Sequence, residues 1–139
     1  MKILILNGPN LNRLGTREPS IYGTNTMADC MKQLAVVYPN VHFDYFQSNV
    51  EGILIDRLQQ AADEGINGVV FNAGAYTHTS IALHDCIASL PFPVVEVHIS
   101  NVHARESFRH TSMIAPVCRG VIAGFGLDSY RLAVSAIIS

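Results

Sequence analysis

Charged side chains are scarce in this chain. Of its 139 residues only 14% are Asp, Glu, Lys or Arg, against about a quarter in an ordinary soluble domain. Lysine is scarcer still, with Lys2 and Lys32 alone. Lys2 opens the first apolar run and Lys32 falls outside the apolar stripe of a helical pattern. Neither is placed for Schiff-base chemistry, which requires a lysine amine in the site. No basic stripe exists, and a net charge of −2 with a pI near 6.3 leaves no electrostatic footprint for nucleic acid. No apolar run approaches the roughly 18 residues of a membrane span. The opening run, Ile3 to Leu6, is apolar for four residues before it meets Asn7-Gly8-Pro9, so it reads as a first strand and not as a secretory signal. Cysteine is limited to Cys30, Cys86 and Cys118, an odd count with no pair at metal-ligand spacing. They read as small core residues of a protein in a reducing compartment, which means the cytoplasm. His98 and His103 lie five apart with no third histidine or cysteine nearby, so no metal site is expected.

What the chain does have is apolar content, 49% of residues, which excludes disorder. Its length suits one domain spanning residues 1–139. Apolar runs alternate with segments of helical period. Ile3 to Leu6 predicts the first strand; Met27, Met31, Leu34, Ala35 and Tyr38 a helix that Pro39 ends. Val41, Phe43 and Tyr45 alternate with His42 and Asp44, the pattern of a half-exposed strand. Leu54, Leu58, Ala61 and Ala62 predict a second helix stopped near Gly65. Val69 to Phe71 is a wholly apolar strand, and Leu83, Cys86, Ile87 and Leu90 mark a third helix. Val94 to Val97 and Val121 to Ala123 are the fourth and fifth strands, and Leu127, Tyr130, Val134 and Ile137 the last helix.

Repeated strand–helix units predict a parallel sheet covered on both faces. The expected fold is α/β, a flavodoxin-like three-layer sandwich with a five-stranded parallel sheet in the order 2-1-3-4-5. The half-exposed second strand fits the edge of that sheet. Ligands in such folds bind beyond the carboxyl ends of the strands, near the switch between strands one and three.

Three loops leave that edge. The first, residues 7–23, is long for a strand–helix connection and carries Arg13, Arg17 and Tyr22. The second, Asn72 to Ser80, offers an amide, hydroxyls, glycine and His78 ahead of a helix N-terminus, an arrangement suited to anions; Thr77 or Thr79 is expected to cap the helix. The third follows the fourth strand and packs two histidines, two arginines and two acids into residues 96–109.

Four motifs along these loops carry a resemblance. They are Asn7-Gly8-Pro9-Asn10-Leu11-Asn12; Gly15-x-Arg17-Glu18-Pro19-x-x-Tyr22-Gly23; Asn72-Ala73-Gly74-x-x-Thr77-His78-Thr79-Ser80; and Glu96-Val97-His98-Ile99-Ser100-Asn101-Val102-x-x-Arg105-Glu106-x-Phe108-Arg109. In order and spacing the sequence resembles type II 3-dehydroquinate dehydratase over almost its whole length. Arg13 and Ser107 depart from the residues common in that family, and neither is expected to touch the chemistry. The resemblance implies removal of a proton beside the ketone of 3-dehydroquinate to give an enolate, then loss of the β-hydroxyl. It implies Tyr22 as the base, acidified by Arg17; His98 as the acid, oriented by Glu96; and Asn10 holding a water against the enolate. Asn72 with the backbone amides of Ile99 and Ser100 would clamp the carboxylate, while His78, Arg105 and Arg109 would bind or order the rest. It implies no cofactor, no metal, no nucleic acid and no membrane, only a small-molecule substrate and other copies of the chain: a dodecamer of four trimers in which Asp85 reaches a neighbour's site. Assembly has an independent physical motive. A monomer of this mass exposes about 7,000 Å², and few charges are present to solvate it.

Rival readings of the same fold fare worse. A receiver domain needs an acidic phosphoacceptor where Asn72 ends strand three. A flavin-binding electron carrier wants a hydroxyl-rich loop where Asn-Gly-Pro-Asn stands. A serine hydrolase lacks its Gly-x-Ser-x-Gly elbow.

Overall fold

The computed structural model describes residues 1–16, 18–22 and 25–139, with Pro19 and Tyr22 described by backbone alone. Five parallel strands form one sheet in the order β2-β1-β3-β4-β5: β1 (Lys2–Asn7), β2 (His42–Gln47), β3 (Gly68–Asn72), β4 (Val94–His98) and β5 (Gly120–Ala123). The helices are α1 (Pro19–Tyr22), α2 (Met27–Val37), α3 (Glu51–Glu64), α4 (Ile81–Ala88) and α5 (Asp128–Ile138). The expected order of strands and the α/β sandwich are both present.

Period-two alternation sorts the central strands between two cores. Ile3 and Ile5 of β1, Val70 of β3, and Val95 and Val97 of β4 pack with α2 and α5, through Cys30, Leu34, Tyr130, Ala133 and Val134. Leu4 and Leu6, Val69 and Phe71, and Val94 point the other way, to Leu54, Leu58 and Ala61 of α3 and Leu83, Cys86 and Ile87 of α4. Each such fully buried aliphatic contributes about 1.5–3 kcal/mol relative to an exposed one. The alternation continues past the apolar residues. Asn7 and Asn72 fall on the α5 face, while Glu96 and His98 fall on the α3/α4 face.

Local signals set the helix ends. Thr26 accepts from the Asp29 N–H while the Asp29 carboxylate accepts from the Thr26 N–H, a reciprocal cap on α2. Gly65, at φ 74°, closes α3 in the left-handed conformation that glycine adopts without steric cost. α4 differs from expectation. A 3-10 turn over Gly74–His78 precedes it, so the cap is Ser80, whose Oγ accepts from the Leu83 N–H at 2.9 Å. Thr77 is buried too early in the chain to cap it. β2 also departs from strict alternation. It is the sheet edge, and Tyr45 stays 40% exposed, its hydroxyl accepting a long 3.4 Å hydrogen bond from Asn7.

All three cysteines are free thiols. Burial pushes Cys30 up to about 11 and Cys118 up to about 12, the nearby Asp128 and Glu96 charges adding to each. Cys30 and Cys86 are core residues, as their positions in apolar segments predict, while Cys118 is only half-buried against the second core. No helix among the described residues is long and apolar enough to cross a membrane.

Candidate active site

The carboxyl ends of β1, β3 and β4 open onto a cavity of about 150 Å³, whose lining includes Asn10, Asn72, His78, His98, Ile99, Ser100, Arg105 and Arg109. Eight of the residues singled out from the sequence therefore converge on one space. The loops are held together there by backbone. The Gly8 N–H donates to the Asn72 carbonyl at 2.7 Å, and a Cβ at Gly8 would fall 2.6 Å from the Ala73 oxygen. Only glycine permits that approach.

Glu96 and His98 form a buried hydrogen-bonded pair at this edge. Two residues apart on β4, they share a face, and His98 Nε2 lies 2.6 Å from Glu96 Oε2. Both are nearly out of solvent, at 2% and 6% exposure. A buried carboxylate needs partners on both oxygens. The second partner is Ser112, whose Oγ donates to Oε1 at 2.6 Å and accepts from the Ala115 N–H at 2.9 Å and the Ile114 N–H at 3.3 Å. Engaged at Nε2, His98 leaves Nδ1 for a ligand. Its ring stacks at 6.2 Å on His78. His78 Nδ1 donates to the Thr111 carbonyl at 2.8 Å, which fixes the neutral tautomer with Nε2 as an acceptor. Desolvation holds the His78 pKa below the ordinary histidine value, with His98 and Arg109 acting in the same direction and the Thr111 carbonyl opposing.

The cationic rim is cross-braced. Arg105 donates to Ser100 Oγ at 3.2 Å and lies 3.9 Å from Glu18 and 3.7 Å from Glu106. Arg109 donates to Glu106 at 2.9 Å and packs over the Phe108 ring. The Glu18 contact brings the long first loop to the cavity one residue past Arg17. Arg17 itself and the Tyr22 side chain lie outside the described residues. Asn10 takes a left-handed conformation at φ 69°, its N–H donating to Asn49 Oδ1 at 3.0 Å. Gln47 donates to both Gly8 O and Asn49 Oδ1 at 3.1 Å, and the Tyr76 hydroxyl to the Asn49 carbonyl at 2.7 Å. Asp85 is not in the cavity. It sits on α4 at 73% side-chain exposure beside His84.

Ser112, Gln47 and Asn49 carry no motif and escape sequence reading. For Ser112 the one available signal is a hydroxyl a few residues ahead of Pro116, the usual setting for a turn-capping serine. Among the described residues no three His, Cys, Asp or Glu side chains gather into a metal-binding group.

Such a site can transfer protons and bind an anion. An imidazole backed by a buried carboxylate is equipped to move a proton. Two arginines, an amide and the backbone beyond β4 are equipped to hold a small, oxygen-rich acid. Comparison with known proteins points the same way. The family profile described as Dehydroquinase class II matches residues 1–138. A "3-dehydroquinate dehydratase" of Rhizobium etli is 59% identical over 137 residues, covering 97% of this chain and 94% of that protein. One from Chlorobaculum tepidum is 55% identical, with coverage of 98% and 93%. The crystal structure of type II dehydroquinase from Butyrivibrio crossotus superposes with a TM-score of 0.96 at 46% identity, covering 100% of this chain and 98% of that one.

Proposed function

The chain belongs to the class II dehydroquinase family, and from that premise we propose that it dehydrates 3-dehydroquinate to 3-dehydroshikimate, a shikimate-pathway step, through an enolate. The observation that carries this reading is the buried Glu96–His98 pair opening into a cavity lined with arginine, histidine and amide donors. Tyr22 is the base that removes the proton between the ketone and the hydroxyl-bearing carbon. A tyrosine near its ordinary pKa of about 10 is largely protonated at neutral pH. Arg17, five residues earlier, supplies the positive charge that favours tyrosinate.

The enolate then expels the β-hydroxyl, and His98 protonates the departing oxygen while Glu96 holds the ring and partners its charge. A water on Asn10 stabilises the enolate oxygen. The substrate carboxylate sits against the Asn72 amide and the Ile99 and Ser100 N–H groups. His78, Arg105 and Arg109 take the remaining hydroxyls. The route needs no metal, cofactor or lysine. Lys2 and Lys32 are both exposed.

The site works in an assembly of copies, a dodecamer of four trimers in which Asp85 of one copy reaches the next. The exposed apolar side chains Ile81, Phe108, Val121 and Phe125 support burial against other copies, and the free, inert thiols support the cytoplasm as the compartment. Sedimentation velocity at low micromolar concentration tests the assembly; a fully active species near the chain mass of 15.2 kDa refutes it. The reaction itself is tested by adding 3-dehydroquinate to pure protein and following the ultraviolet absorbance of the conjugated enone. Absence of that signal from folded protein overturns the reading.

A further inference from the structure

A buried chain of hydrogen bonds runs beneath the cavity floor and is separate from the Glu96–His98 pair. Tyr130 of α5 is fully buried. Its hydroxyl donates to Asn7 Oδ1 at 2.7 Å and accepts from Asn72 Nδ2 at 3.0 Å. Asn7 and Asn72 end neighbouring strands in register, and both project toward α5 on the face of Ile3, Ile5 and Val70. Asn7 Nδ2 donates onward to the Tyr45 hydroxyl at 3.4 Å. At the other end, Asn72 Oδ1 accepts the Gly74 N–H at 3.1 Å.

The direction of this chain is fixed. A backbone N–H can only donate, so Gly74 requires the oxygen of Asn72 on its side. Tyr130 spends its single proton on Asn7 Oδ1, so it requires a donor from Asn72. Both constraints forbid the flipped amide, which would set Nδ2 against the Gly74 N–H and Oδ1 against the hydroxyl lone pair. The Tyr130 proton is secure, because burial pushes this phenol well above the ordinary tyrosine value. Gly74 is held in turn by its left-handed φ of 59°, where an added Cβ would fall 3.1 Å from the Pro9 oxygen. Asn72 lines the cavity, with Oδ1 and one amide hydrogen already engaged. What it offers a ligand is its second N–H.

We infer that Tyr130 is a positioning residue: by locking the Asn72 amide in one orientation it makes the cavity floor a hydrogen-bond donor, selective for an acceptor such as a carboxylate. The inference rests on the reading of Asn72 as a carboxylate contact. Tyr130 touches no substrate, and its effect is on binding more than on the proton transfers. Removing it loosens a contact made in ground state and transition state alike, which raises KM and spares kcat.

The test is steady-state kinetics on Tyr130→Phe, Asn72→Ala and the double variant. Tyr130→Phe should raise KM for 3-dehydroquinate by about ten-fold with kcat within about three-fold of wild type. In the Asn72→Ala background the same change should add less than about two-fold to KM. If Tyr130→Phe does not give folded protein, Asn7→Leu frees the Tyr130 proton with the ring in place and must raise KM likewise. An unchanged KM in the folded variant, a fall in kcat alone, or full additivity with Asn72→Ala overturns the proposal. If Asn72→Ala itself leaves KM unchanged, the carboxylate reading fails as well, and the proposal with it.

Discussion

Substituting Ser112 by alanine isolates the support beneath the pair proposed for proton transfer, because Ser112 touches Glu96 without lining the cavity. The substitution removes one short hydrogen bond to a carboxylate, worth about 1.5–3 kcal/mol. It leaves Glu96 Oε1 without its donor at a position only 2% exposed. The Ile114 and Ala115 N–H groups lose their acceptor as well, at a serine that is itself only half-buried. The net loss of stability is therefore about 2–3 kcal/mol. A chain of this size shifts by roughly 3–5 °C per kcal/mol, so Tm should fall by about 10 °C. Function should suffer separately from folding. With one oxygen unheld, the carboxylate can turn and no longer fixes the His98 ring. We expect kcat to fall about 10- to 100-fold, a barrier increase of about 1.4–2.7 kcal/mol, while KM stays within about three-fold. Ser112→Thr keeps the hydroxyl and should recover most of the rate. Circular dichroism melts and enone-absorbance kinetics on the two variants decide the matter. A folded Ser112→Ala protein with kcat within about two-fold of wild type would show that Glu96 orients His98 without Ser112.

Tyr22→Phe should lower kcat by about three orders of magnitude or more with the fold intact, since only the ionisable oxygen is lost; a pure variant retaining more than about a tenth of the rate, about 1.4 kcal/mol of barrier, rules out Tyr22 as the base. His78 gives a pH dependence of stability. Its folded pKa lies below the ordinary value of about 6.5, so the unfolded chain binds the proton more readily and folding is penalised as pH drops below about 6.5. His78→Gln removes that penalty. In urea titrations, wild type minus His78→Gln stability should be smaller at pH 5.5 than at pH 7.5, and an equal difference at both refutes the assignment.

The strands and helices were legible because their signals are local. Ile3 to Leu6 and Val69 to Phe71 are continuous apolar runs, as strands buried on both faces must be. The edge position of β2 followed from its polar residues. The convergence of Asn72, His78 and the residues after β4 followed from the rule that strand ends share one edge of the sheet. What escaped are contacts between residues far apart in sequence. Tyr130 sits at an apolar helical position and reads as core, which its ring is. Nothing local reveals that its hydroxyl meets Asn7 and Asn72, 123 and 58 residues away. Ser112 escaped for the same reason, and the Ser80 cap because a 3-10 turn is too short to show a period.

The two-residue spacing of Glu96 and His98 on β4 has a consequence for folding. Val95 and Val97 fill the core under α2 and α5, while the two polar residues face the opposite layer and the cavity. A slip of one residue in the pairing of β4 with β3 would exchange these sets, driving a carboxylate and an imidazole among Leu34, Tyr130 and Val134 and turning two valines toward the site. Misaligned pairings of this central strand are thus disfavoured by Glu96 and His98 themselves. Replacing both with aliphatic residues should leave a chain that folds with less discrimination between registers, so the pair proposed for proton transfer also confers fidelity of assembly.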